Sequence, residues 1–135
     1  MTAAFHLWLK PEEPLYTKTR EGDPERAKFA KTNNVVFMGY PPTLDIFLYD
    51  VMAGDLIVAR CDGFCGVGRA VGAAYVRPGT KAKGQVPHFR QVEWLNVTSR
   101  GTSCPYEALL RGLNMRQAMK DITAHCGSGP LASFL

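Results

Sequence analysis

Apolar and polar residues alternate along Phe5 to Lys10 around Leu7 and Leu9, a period of two that predicts a strand near 5–10, closed by Pro11 and Pro14. Residues 17–34 are rich in charge. Gly22-Asp23-Pro24 reads there as a turn, and Glu25 to Lys31 as a short helix of weak pattern. Val35-Val36-Phe37-Met38 is a second apolar run over 35–38, ended by Pro41-Pro42. Thr43 is placed to cap a helix near 43–52 that would bury Leu44, Phe47, Leu48 and Val51 at helical spacing. Gly54 fits the left-handed position just past it. A β-branched run follows over 56–61, and Asp62-Gly63 turns the chain into a second strand over 66–76. Gly66, Gly68 and Gly72 lie in that strand, where glycine marks a bulge, a barrel corner or a close approach by another group.

The segment 77–84 is too polar and glycine-rich to pack, and a strand near 90–97 comes after it. Its alternation is imperfect: Gln91, Glu93 and Leu95 share one face, Val92, Trp94 and Asn96 the other, and neither is cleanly apolar. Pro105 opens a short helix to Arg111, broken by Gly112. Asn114-Met115-Arg116-Gln117 has the spacing of a capping box and predicts a helix over 115–125 that buries Met115, Ala118, Met119 and Ile122. Strands, a helix, a hairpin, another strand and further helices suit an α+β chain, a small partly open barrel with helices over its openings. At 135 residues the length suits one core, read as a domain over 1–126 with 127–135 a tail or the start of a linker.

Charge changes this picture, whereas composition does not. Hydrophobic residues at 46% and charged residues at 21% are ordinary for a globular domain. No apolar run has membrane length and the first residues lack a signal-peptide pattern, so the expected location is cytoplasmic. Lys and Arg number six against seven acidic residues over 1–50, but ten against five over 51–135. Between Asp62 and Glu93 there is no acidic residue, while Arg69, Arg77, Lys81, Lys83 and Arg90 fall there. Such a segment can neutralise phosphates; the alternative is a solvated loop. Cys61, Cys65, Cys104 and Cys126 read as buried or half-buried thiols in a reducing compartment. The Cys61-x-x-x-Cys65 spacing lacks a second ligand pair, so no metal is expected.

The order of these segments resembles the EVE domain of the PUA-like superfamily, whose relatives include YTH domains and the modified-cytosine readers of some restriction enzymes. Leu7-Trp8-Leu9-Lys10-Pro11-Glu12-Glu13-Pro14 is similar to that family's Trp-bearing strand and Lys-Ser-Glu-Pro. Phe37-x-Gly39, a helix, Met52-Ala53-Gly54-Asp55 and a strand resemble its Trp-x-Gly, helix, Met-x-x-Gly-Asp and strand. The Gly66-Val67-Gly68 strand and the late strand at Trp94 keep the order. The chain departs from the family at Tyr40-Pro41-Pro42, where Val-Arg-Asn is usual, and at Arg60-Cys61-Asp62, where Tyr-His-Ser is frequent. The resemblance implies a PUA-like pseudobarrel with flanking helices, with DNA or RNA as partner and a fused or separate effector domain as a further one.

That resemblance also implies an aromatic cage for a modified base. Trp8, Phe37, Tyr40, Phe64 and Trp94 are the candidate walls, with Lys10, Arg60 and Asp62 as polar contacts, between the Trp8 strand, the Phe37–Tyr40 segment and the Asp62–Phe64 turn. Aromatic faces stack on any base at about 1–3 kcal/mol each. Arg69, Lys81, Lys83 and Arg90 are the candidate phosphate contacts. An enzyme is the less favoured reading. There is no phosphate-binding glycine loop, His-Glu-x-x-His or Gly-x-Ser-x-Gly. Gly79-Thr80-Lys81 begins like the Gly-x-Lys-x-x-Glu-x-Arg motif of ASCH-type nucleases and amide hydrolases, but the Glu and Arg do not follow. A protein-interaction module is the third reading. No cofactor is expected.

Overall fold

Alternation in the first strand gives the sheet two apolar faces, and the architecture follows from covering both. The computed structural model describes residues 2–9, 23–38, 41–61, 64–76, 88–98, 119–125 and 131–134. In chain order the elements are β1 (Ala4–Trp8), α1 (Asp23–Asn33), β2 (Val35–Met38), α2 (Pro41–Asp45), β3 (Leu56–Cys61), β4 (Phe64–Ala70), β5 (Tyr75–Val76), β6 (His88–Val97) and β7 (Met119–Asp121). The strands form one curled, half-barrel sheet in the order β2-β6-β4-β3-β1-β7, with β5 also paired to β6. β1 runs parallel to β3, and every other pair is antiparallel. A parallel pair needs a crossover, here made through α1, β2 and α2. The chain is thus α+β and rich in strand.

Phe5, Leu7 and Leu9 face the larger core with Ile57, Ala59, Cys61 and Phe64, and α1 closes over it through Ala30. Ala4, Leu56, Val58, Cys65 and Val67 face the other way and are covered by Ile122 and Leu131. Asp55 ties the start of β1 to the turn that enters β3. Its carboxylate accepts from Ala3 N at 3.1 Å and Met52 N at 2.8 Å. Gly54, just before it, has φ +94°, the left-handed conformation expected there.

The glycines of β4 serve a close approach. A Cβ on Gly66 would stand 2.9 Å from Trp94 Cζ3 and 3.0 Å from Phe64 Cζ, and one on Gly68 3.0 Å from Val92 Cβ. The Trp94 indole lies across this bare floor, and its Nε1–H donates to Ala30 O at 3.2 Å, fixing α1 to the sheet. A bulge accompanies the approach: Val67 pairs with Asn96 but Gly68 with Trp94, leaving Leu95 as the extra residue. The bulge explains the broken alternation of β6. Val92 and Trp94 face the larger core before it, Val97 after it, and Leu95 joins the second core.

Several expectations need correction. The helix over 115–125 does not form through its centre: Met119–Asp121 is a strand on β1, and a 3₁₀ turn follows at Thr123–His125. Met119 and Ile122 are buried as expected, but on opposite faces of a strand edge. The strand over 66–76 is two strands, interrupted at Val71–Ala74. Thr43 is not a cap. The helix begins at Pro41, where proline's missing N–H is harmless, and Thr43 Oγ1 donates to Met38 Sδ at 3.5 Å. α2 continues as a π-helical turn over Ile46–Asp50 that buries Phe47. Cys65 is disulfide-bonded, against the reading of four thiols, while Cys61 is free and buried. The partner of Cys65 lies outside the described residues, as does the helix over 105–111.

Candidate functional site

Helical spacing puts Phe29 and Asn33 one turn apart on the same stripe of α1. They form one wall of a cleft of about 160 Å³ whose other lining residues are Val35, Tyr75 and Phe89. The helix ends at Asn34, in the left-handed region with φ 53°, which asparagine tolerates better than most residues. Asn34 O accepts from Val92 N at 2.8 Å, so the helix end is tied to β6 beside the cleft.

Phe89 is the floor. Phe29 meets it with centroids 6.0 Å apart, and Phe37 supports it from below at 6.1 Å. Tyr75 stacks on the same ring, centroids 6.0 Å apart and planes inclined 30°, yet keeps 43% of its surface exposed. Besides Tyr75, whose ring carries a hydroxyl, the lining has one polar side chain, Asn33. Its Nδ2–H donates to Phe29 O at 2.9 Å.

Arg90 holds Tyr75 in place from the opposite side of β6. Its guanidinium donates to Gly72 O, in the β4–β5 connection, and to Phe47 O at 2.7 Å, at the π-helical turn. Burial lowers its pKa from the usual arginine value, and the Asp55 charge opposes that shift. Val71 N adds a bond to Gln91 O at 3.0 Å. The short connection that delivers Tyr75 is therefore pinned at two points.

A second cluster lies on the outer face of β1 and β3, where the parallel register sets Trp8 opposite Arg60. The Arg60 guanidinium carbon sits 4.3 Å above the Trp8 ring centre, and its Nε–H donates to His6 Nε2 at 2.9 Å. An imidazole that accepts at Nε2 is neutral and carries its proton on Nδ1. Burial first, and the Arg60 charge second, lower the His6 pKa from 6.5 to about 3. Nδ1 is buried without a hydrogen-bond partner.

The residues expected to form one cage are divided between these two faces. Phe37 is 0% exposed and Phe64 is 5% exposed, both in the larger core, so neither can wall an open cage. Trp94 stands edge-on to Phe64, centroids 5.9 Å apart, and is used in fastening α1. Trp8 and Arg60 meet each other, on the far face of the sheet from Phe37. Arg90, 2% exposed, is a clamp and not a phosphate contact. Arg69 is likewise engaged, donating to Gly54 O at 3.0 Å and Phe134 O at 2.6 Å. Lys10, Tyr40, Asp62, Lys81 and Lys83 lie outside the described residues.

Sequence reasoning missed all five residues of the cleft. Tyr75 and Phe89 read as strand ends and Phe29 as part of a weak helix. The available signal was that Tyr75 and Phe89 both lie within the acid-free stretch between Asp62 and Glu93. Chemically, the cleft offers the partly exposed rings of Phe29 and Tyr75 and an amide at its rim, while Phe89, 1% exposed, supports Tyr75 from beneath and presents no face of its own. Among the described residues, no three His, Cys, Asp or Glu side chains gather as a metal site would require, and no helix is long and apolar enough to cross a membrane. Comparison with family models, with curated proteins and with solved structures yields no match to this chain.

Proposed function

We propose that this chain is a PUA-like domain that binds single-stranded DNA or RNA by seating one base, preferentially a modified one, in the Phe29–Tyr75–Phe89 cleft. The observation that carries this reading is Tyr75, an aromatic ring held by stacking on Phe89 yet nearly half exposed at the cleft mouth. A cleft of 160 Å³ is close to the engineered cavity of about 150 Å³ that admits benzene, so one ring system is the right scale of occupant. Stacking on such faces contributes about 1–3 kcal/mol per base. Beyond Val76 the chain enters Arg77, Lys81 and Lys83, which supply phosphate contacts that position the strand without reading it. The curled sheet and the order of strands and helices support the PUA-like assignment.

Binding of short methylated and unmodified single strands, measured at several salt concentrations, tests this. Tyr75→Ala is expected to weaken binding about tenfold or more and to remove the preference for the modified base, leaving the salt slope nearly unchanged. Changing Lys81 and Lys83 to Ala together is expected to weaken all strands alike and flatten the slope by about 1.4. Absence of binding to any strand at low salt refutes the reading and favours a protein-interaction module.

A further inference from the structure

We infer that the disulfide of Cys65 is a redox-controlled latch. Formed, it holds β7 and the residues behind it over the second core; reduced, it lets them lift from β1 while the rest of the sheet stays folded. The inference is independent of the cleft, and three observations carry it. Cys65 is disulfide-bonded, and since Cys61 keeps its thiol, the partner among the four cysteines of the sequence is Cys104 or Cys126. Both follow β6 in the chain, so the bond ties the interior strand β4 to the C-terminal stretch that also supplies the cover. The Cys65 end of the bond lies within that second core, 2% exposed, clustered with Ala4, Leu56 and Val58 of the sheet and with Ile122 and Leu131 of the cover.

The cover is otherwise lightly attached among the described residues. β7 stands at the edge of the sheet and meets β1 only from Phe5, opposite Asp121, to Leu7, opposite Met119. Behind it, Ile122 N donates to Ala4 O at 2.9 Å and Ala4 N to Thr123 Oγ1 at 3.0 Å, and farther on Arg69 holds Phe134 O. β3, by contrast, is paired with β4 along its whole length. A short edge strand opens more readily than such an interior pair, and a cross-link acts by removing open states, so its loss is felt first at β7. Cys61 cannot take over the bond, because it packs in the larger core on the other face of the sheet. The latch therefore answers to an external dithiol. One thiolate of the dithiol attacks a sulfur of the disulfide, its second thiol resolves the mixed disulfide, and two electrons and two protons pass to the chain. The chain is left with two thiols and the reductant becomes a disulfide; a small-molecule disulfide oxidant reverses the exchange.

The test uses the full chain, oxidised with glutathione disulfide or reduced with dithiothreitol. Unfolded and alkylated without reductant, the oxidised chain is expected to take label at Cys61 and at one of Cys104 and Cys126, and at all four cysteines after reduction. Label on Cys65 before reduction overturns the inference. Backbone hydrogen exchange of the folded chain then reads the latch. Reduction is expected to speed exchange of β7 and of the Ile122 amide about 30-fold or more, the lower range of what a disulfide contributes, and to leave the amides of β3 and β4 nearly unchanged. Re-oxidation should restore the slow rates. Cys65→Ala is expected to exchange like the reduced wild-type chain and to ignore dithiothreitol, whereas Cys61→Ala responds as wild type does. Equal rates at β7 in the oxidised and reduced wild-type chain refute the latch. So does an acceleration shared by β3 and β4, which would make the bond a staple of the whole fold. Both of these readings come from the wild-type chain and hold even if Cys65→Ala does not fold.

Discussion

Acidification between pH 7.5 and 5.0 is expected to destabilise this fold chiefly through His6. The imidazole is 0% exposed, accepts from Arg60 at Nε2 and is held to a pKa of about 3, against 6.5 when unfolded. The folded value lies below the unfolded one, so the unfolded chain binds the extra proton. The contribution is complete above pH 6.5 and is lost as pH falls from 6.5 toward 3. Each unit through that window removes about 1.4 kcal/mol, giving a loss of about 2 kcal/mol at pH 5.0. Urea unfolding at the two pH values measures the loss, and His6→Gln isolates it, since glutamine can still accept from Arg60 but does not titrate. The wild-type chain should lose about 2 kcal/mol more than the variant over this interval. Equal losses in both would mean that His6 is not buried neutral, and would remove the basis for assigning its proton to Nδ1.

Gly66→Ala is expected to destabilise by about 1–3 kcal/mol in thermal melts, because its Cβ meets Trp94 at 2.9 Å and that ring is pinned to Ala30 O. Gly72→Ala, with nothing within 4 Å of its Cβ, serves as the neutral control. Asp55→Ala strands the N–H groups of Ala3 and Met52 and should cost about 2–3 kcal/mol in chemical denaturation. Arg90→Met keeps the volume but leaves Gly72 O and Phe47 O without their donor. A loss of about 2–4 kcal/mol is expected, with weaker strand binding through the loosened Tyr75 segment and an unchanged salt slope.

The strands around the hairpin were legible because their residues alternate against a two-sided core. Leu56–Cys61 reads directly as Leu56 and Val58 one way, Ile57, Ala59 and Cys61 the other. The strand at Met119–Asp121 was not legible, since Met119 and Ile122 are three apart and fit a helix equally well; only pairing with β1 decides. Chain order alone gave no way to tell that Trp8 and Phe37 lie on opposite faces. That depends on the parallel register of β1 against β3 and on which face α1 covers. Arg90 looked like surface charge in an acid-free stretch, and nothing local distinguishes a clamp from a phosphate contact. The cleft was missed for a related reason: its walls come from α1, β2, β5 and β6, and no two of the aromatic ones are neighbours in sequence.

The place of β1 between β3 and β7 has a consequence for how the chain acquires its structure. Ala4 is bonded across 119 positions to Thr123, and Ala3 across 52 to Asp55. Such separations must be closed before they stabilise anything, so folding belongs to the slow, non-local regime of milliseconds to seconds. During synthesis β1 emerges first and waits, with both edges unpaired, until residues 56–61 follow it and then 119–121. An apolar strand such as Phe5-His6-Leu7-Trp8 left open for that interval is a template for pairing with another chain. Crowding of nascent chains, more than heating of the finished fold, is where this architecture is most exposed to misassembly.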